Sequence, residues 1–258
     1  MPTTPINGID LYYELQGSGP PLALVHGGGS THLTWWQQVH DLMKDYTIIT
    51  LDQRGFGFSG PCETEPAAYV DDLRGLLDHL GIKRAALLGQ SIGGYTSAGF
   101  ASRYPERVTA LILTSGNGGL LPIPQDGHTQ QAFAAATAAK SNADFLSATR
   151  HSDGFADRDP KGAFLFEMIG ILNFRLNMQK MIEAVNQRFD LTPIANARIP
   201  TLLLAGDEDS KNCTSMKELA ALIPGARFQS MANCGHHLFF EKPGEFNMLI
   251  REIGRAHV

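Results

Sequence analysis

The chain has 258 residues, 43% of them hydrophobic and 18% charged, and carries a net charge of −5. That is an ordinary globular composition, long enough for one large α/β domain with an insertion. The negative balance argues against nucleic acid or an anionic membrane surface as partner, and no run of about 18 apolar residues is present to span a bilayer. Cys62, Cys213 and Cys234 are odd in number, scattered and form no CxxC pair, so free thiols are expected. The first residues show no basic stretch followed by an apolar one, and the expectation is a cytoplasmic protein.

Taken in order, Ile9, Leu11, Tyr13 and Leu15 alternate with polar neighbours, as in a strand with one buried face. Asn7-Gly8 before it predicts a hairpin with residues 3–6. Leu22 to Val25 is fully apolar, as in a central parallel strand, and ends in His26-Gly27-Gly28-Gly29-Ser30. Trp35 to Met43 is predicted helical. Thr47 to Leu51 is the next strand, ending in Asp52-Gln53-Arg54-Gly55-Phe56-Gly57-Phe58-Ser59. Pro66 to Leu80 has helical spacing and Gly81 stops it. Ala85 to Leu88 and Val108 to Leu113 are further apolar strands, and this alternation implies βαβ units and a mostly parallel sheet with helices on both faces.

From Ser115 to Ile199 no strand is evident. Asn117 to Gly127 reads as a loop, and Gln130 to Thr149 is Ala-rich and helix-favouring. Phe164, Leu165, Met168, Ile169 and Leu172 form one helical stripe; Met178, Met181, Ile182, Val185 and Phe189 form another. The predicted organisation is a core of residues 1–115 and 200–258 with a helical cap of residues 116–199. Met and Phe are dense in the cap, which suits core packing or a lid over an apolar pocket lined by adaptable side chains. The sheet resumes at Thr201 to Ala205, followed by Gly206-Asp207-Glu208-Asp209. A helix from Met216 to Ile223, a short strand from Arg227 to Ser230, a Cys234-Gly235-His236-His237 loop and an amphipathic closing helix complete the chain.

The chemistry centres on Gly89-Gln90-Ser91-Ile92-Gly93, which joins an apolar strand to a helix. In that context G-x-S-x-G is a nucleophile elbow: Ser91 stands on a strained turn with its hydroxyl clear of the sheet. The Ile92 amide opens the helix, lacks an intrahelical partner and can donate to an oxyanion beside Ser91. The plainer alternative is a glycine turn before a helix with a serine N-cap. A serine at neutral pH needs a base, and the base needs an orienting carboxylate. Candidates follow the strands at their carboxyl ends: Asp207, Glu208 or Asp209, and His236 or His237. No HExxH or paired histidine spacing suggests a metal. Gly55-x-Gly57-x-x-Gly60 follows a strand, but Pro61 and Pro66 leave no helix to open there, so no nucleotide cofactor is expected.

These pieces together resemble the α/β-hydrolase superfamily over nearly the whole chain apart from the cap. They are His26-Gly27-Gly28, Asp52-x-Arg54-Gly55-x-Gly57-x-Ser59, the elbow, Tyr104-Pro105-Glu106-Arg107-Val108, Gly206-x-x-Asp209, and Gly235-His236 with Glu241 and Pro243 downstream. The resemblance implies Ser91 as nucleophile, Asp209 as acid and His236 as base, with the amides of Gly28 and Ile92 as the oxyanion hole. His26 is then expected to be structural and Arg54 a buried anchor. Trp35, Phe164, Met168, Met178, Met181 and His237 are the expected substrate contacts.

The function expected on this basis is cleavage of a small-molecule carboxylic ester or lactone by a serine hydrolase, without cofactor, nucleic acid or membrane partner; a homo-oligomer is compatible. The enol-lactonase, small esterase and C–C hydrolase branches are the most similar. A meta-cleavage C–C hydrolase is the alternative, although that branch typically carries Trp after the histidine, where this chain has His237. A non-catalytic or slow receptor on the same fold is the alternative from another class.

Overall fold

The computed structural model describes residues 2–61, 68–122, 151–185 and 188–255. The chain opens with a hairpin, β1 (Thr3–Ile6) and β2 (Ile9–Gly17), in which Ile6 pairs with Ile9. Asn7 and Gly8 make the turn at φ 46° and 82°, the left-handed pair that a two-residue hairpin requires. Then come β3 (Pro21–Val25), α1 (Trp36–Leu42), β4 (Thr47–Leu51), α2 (Ala68–His79), β5 (Ala85–Gln90), α3 (Ile92–Arg103) and β6 (Val108–Thr114). Between β6 and the next strand the described residues form four helices: α4 (Phe155–Arg158), α5 (Pro160–Ile171), α6 (Met178–Ala184) and α7 (Thr192–Asn196). The chain closes with β7 (Thr201–Gly206), α8 (Ser210–Leu222), β8 (Arg227–Met231), α9 (Leu238–Glu241) and α10 (Pro243–Arg255).

The sheet has eight strands in the order β1-β2-β4-β3-β5-β6-β7-β8. β1 and β2 are antiparallel to their neighbours, and the pairs from β4 to β8 are parallel. The period of two along a strand divides each apolar run between two cores. Ala23, Val25, Leu87, Leu111, Leu113 and Leu203 face Leu73, Leu76 and Leu77 of α2, Phe100 of α3 and Met216 of α8. Leu22, Leu24, Leu88, Ile112 and Leu204 face the opposite way, toward Trp35, Leu42 of α1 and Phe246 and Ile250 of α10. Each such side chain contributes on the order of 1.5–3 kcal/mol by leaving water, which is why both faces are covered.

Several expected elements shift. Residues 32–35 are a 3-10 turn, so the predicted helix from Trp35 begins properly at Trp36. α8 starts at Ser210, six residues before the expected Met216, because polar residues on its first turns hid the periodicity. The expected buried stripe on α5 is out of phase. Phe166, Ile169 and Gly170 are buried, whereas Phe164 and Leu165 are exposed. α5 is apolar all round, so periodicity could not choose its inner face. Met181 of the second stripe is fully buried. The Met178 side chain, the helix expected over residues 130–149, Cys62 and the start of the helix expected from Pro66 lie outside the described residues. Among the described residues no helix is long and apolar enough to cross a membrane.

Candidate active site

β5 delivers Ser91 to the carboxyl edge of the sheet, between β3 and β6. Its backbone lies at φ 52°, ψ −112°, a conformation that a non-glycine residue adopts only where the surroundings hold it. The hold is visible: the Ser91 amide donates to the Thr114 carbonyl at 2.9 Å, and α3 begins at Ile92. A Cβ on Gly93 would collide with the Val25 and His26 carbonyls, so only glycine lets α3 sit this close to the end of β3. Ser91 occupies the N-cap position of α3 but its side chain does not cap, which leaves the hydroxyl for other use. Ile92, the first residue of α3, presents an N–H that precedes the first intrahelical bond.

Asp209 stands at the N-cap of α8, and its carboxylate likewise does not cap that helix. It turns to His236, whose Nδ1 is 2.7 Å from Asp209 Oδ2. Asn212, one turn along α8, donates to both carboxylate oxygens at 3.0 and 2.8 Å. Burial alone would raise the Asp209 carboxyl, but the hydrogen bonds from His236 and Asn212 outweigh it and hold the group ionised below its ordinary range. With Nδ1–H assigned to Asp209, His236 Nε2 carries the lone pair, and that atom is buried without a hydrogen-bond partner among the described residues. Asp207 is exposed and accepts from the Cys234 amide, and Glu208 accepts from the Asp153 amide. The geometry therefore brings Asp209, rather than its two acidic neighbours, to the histidine.

Gln90 ties these loops together. Its amide nitrogen reaches the His236 carbonyl at 3.4 Å, and its Oε1 fills the space that a Cβ on Gly27 would take. The elbow, the Gly27–Gly29 loop and the His236 loop thus meet at one side chain. His26 holds the base of that loop, its Nδ1 donating to the Gly27 carbonyl at 2.8 Å and its Nε2 accepting from the Gln53 amide at 3.0 Å. Arg54 is buried and pairs with Asp72 through Nε and Nη2, each at 2.6 Å.

His237 is buried, with ring centroids 4.3 Å from Phe166, 4.7 Å from His151 and 5.2 Å from His236. Trp35 is fully buried against Phe239, at 4.5 Å between centroids, while Trp36 is half exposed. Met168 is half-buried on α5. Phe164, an expected lining residue, points away at 62% exposure, and Phe166 is the α5 phenylalanine that packs beside His237. Sequence reasoning missed Asn212, Gln90, Phe166 and His151. Only Asn212 left a trace, one helical turn after the acid, and the misplaced start of α8 concealed it.

Burial pushes His26 down to about 4, because no water can reach a charged ring there. The unfolded chain takes up this proton below the ordinary imidazole value of 6.5, whereas the folded chain waits until about 4. Stability should therefore be full above pH 6.5 and fall by about 3 kcal/mol as pH drops to 4. His237, lowered by burial and by the neighbouring His236, adds in the same direction. Denaturant unfolding at stepped pH would check this; an identical pH slope in a folded His26→Gln variant would exclude His26 as a source.

Residues 20–243 match the family model described as alpha/beta hydrolase fold. A curated relative, 2-hydroxymuconate semialdehyde hydrolase from Pseudomonas sp. (strain CF600), is 31% identical over 95% of this chain and 90% of its own length. Among solved structures, a thermophilic esterase from Thermogutta terrifontis superimposes with a TM-score of 0.82 at 27% identity, covering 99% of this chain and 97% of that one. The enol-lactonase from Burkholderia xenovorans LB400 gives 0.81 at 22% identity, with 98% and 99% covered. The expected fold stands, and the chain belongs to the alpha/beta hydrolase family.

Proposed function

We propose that this hydrolase cleaves a small-molecule carboxylic ester or lactone through an acyl-enzyme on Ser91. The observation that carries the reading is the Asp209–His236 pair, 2.7 Å apart, with Nε2 of the histidine buried and unpartnered at the edge where the elbow ends. In this mechanism His236 Nε2 takes the Ser91 proton as Oγ attacks the carbonyl carbon. The amides of Gly28 and Ile92 donate to the oxyanion, and the proton returns to the leaving alcohol. Water, deprotonated by the same nitrogen, then releases the acid. In a lactone the leaving alcohol stays tethered to the acyl group.

The helices between β6 and β7 are proposed as a cap over the acyl pocket. Their Phe166 packs against His237, and Phe155 and Ile169 join the same apolar cluster. That lining favours uncharged acyl groups. A second reading, hydrolysis of a C–C bond in a ring-cleavage product, is favoured by the 31% identity to 2-hydroxymuconate semialdehyde hydrolase. A panel of p-nitrophenyl esters, lactones and a vinylogous diketone acid separates the two. Turnover of esters or lactones with a fluorophosphonate adduct on Ser91 is the expected result. Turnover of the diketone acid alone would shift the reading to the second, and no turnover with no adduct would sink both.

Asp209→Asn should lower turnover roughly 10⁴-fold with little loss of fold, since it keeps the shape but favours the wrong histidine tautomer. Asp207→Asn should cost far less. Measured with both variants folded, the reverse ranking would make Asp207 the acid.

A further inference from the structure

Two buried polar side chains fasten the β6–β7 insertion to the loops of the site. Glu241, at the end of α9, has a side chain only 2% exposed. Its Oε1 accepts from the Gly235 amide at 3.1 Å, one residue before His236. The same carboxylate accepts from the Ser152 amide, 3.1 Å from each oxygen, and from the Ser152 hydroxyl. The His151 ring stands 3.5 Å away, and Arg158 donates to the Ser152 hydroxyl at 2.6 Å. Burial would raise this carboxyl, but His151 and the Ser152 hydrogen bonds outweigh it and keep the group ionised. On the other side of the site, Asn173 is 3% exposed. Its Nδ2 donates to the Ser30 carbonyl at 3.1 Å, two residues past Gly28, and its Oδ1 accepts from the Gly57 amide at 2.9 Å.

We propose that Glu241 and Asn173 are positioning residues, which set the His236 loop and the Gly28 loop against residues 151–173, so that the insertion itself holds the catalytic geometry. The inference rests on the hydrolase reading of Ser91 and His236. Neither side chain need touch the substrate: Glu241 acts through Gly235, and Asn173 through Ser30. The chemistry of each is specific. A buried carboxylate is costly unless several donors satisfy it, so one that spans two segments is poorly replaced by packing alone. Glutamine would lose the charge and replace one of the two acceptor oxygens by an N–H₂ turned toward the Ser152 amide donor. Asparagine at position 173 needs both its donor and its acceptor; aspartate would face the Ser30 carbonyl with an oxygen. A loop displaced by about 1 Å can lower a rate by about 10²-fold.

The test measures the rate at which a fluorophosphonate labels Ser91, with kcat and KM on an ester and the unfolding temperature, in the full chain. Failure of wild type to label at Ser91 would refute the hydrolase reading and, with it, the ground for this inference. Given labelling, Glu241→Gln should label and turn over about 30- to 100-fold more slowly, with KM changed less than about threefold. Glu241→Asp should recover part of the rate by keeping the charge. Ser152→Ala and Asn173→Asp, which leave Glu241 in place, should each slow labelling by about tenfold. Wild-type labelling rates in folded Ser152→Ala and Asn173→Asp would overturn the proposal, even if Glu241→Gln failed to fold. So would a loss in Glu241→Gln that merely tracks the unfolded fraction.

Discussion

Ser91→Ala is expected to reduce turnover by about 10⁶-fold, because in the proposed mechanism nucleophile, base and acid act as a unit and loss of one disables all. The substitution removes only Oγ. The strained backbone at φ 52° is held by Thr114 and by the start of α3, and neither contact uses the hydroxyl. The variant should therefore fold and unfold as the wild type does, and substrate binding should persist. A residual rate above water of about 10³-fold is expected from the amides alone. The competitors are close: Ser97 and Ser115 carry buried hydroxyls without partners among the described residues. A fluorophosphonate adduct on either of them, or turnover within a hundredfold of wild type in a folded Ser91→Ala, would displace Ser91 from its role.

His236→Ala should lower turnover nearly as far, by about 10⁵- to 10⁶-fold. His237→Ala should not. The two rings are adjacent in sequence but meet opposite surroundings. His236 gives Nδ1 to a carboxylate and keeps Nε2 open. His237 is wedged among Phe166, His151 and Phe239, and burial with the neighbouring His236 opposes its protonation. A ring that resists a proton is a poor base. Truncating it opens a cavity in an aromatic cluster and should cost a few kcal/mol of stability, with turnover per folded molecule little changed. Kinetics paired with denaturant unfolding would separate the two effects. Equal losses of turnover in both folded variants would contradict this division of labour.

The strands were legible because short apolar runs bounded by Gly and Pro have few other readings, and the Asn7-Gly8 turn even fixed the register of the first hairpin. The elbow was legible because its glycines answer to collisions that only the folded chain reveals. Three acids follow β7; the resemblance singled out Asp209, and it is Asp209 that the hydrogen bond from His236 reaches. The insertion was least legible. α5 is apolar on every side, so Phe164 and Phe166 could not be ranked before their exposure was known. Trp35 and Trp36 had the same difficulty, with one inside and one out. The bond from the Ser152 amide to Glu241 joins residues 89 positions apart, and no local pattern announces such a contact.

β6 and β7 are hydrogen-bonded neighbours, Leu111 beside Thr201 and Thr114 beside Leu204. Because the pair is parallel, the segment between them leaves at the carboxyl edge of the sheet, where the elbow stands, and crosses back to the opposite edge before β7 begins. Lengthening a flexible crossover costs only about 0.6 kcal/mol for each doubling of its length. Evolution could lengthen or shorten this excursion with little burden on the sheet beneath, so long as Ser152 and Asn173 keep their places. The molecule thus separates what must be inherited intact from what is free to drift. The crossover can diversify in length and sequence while the strand order, and the elbow it presents, stay constant.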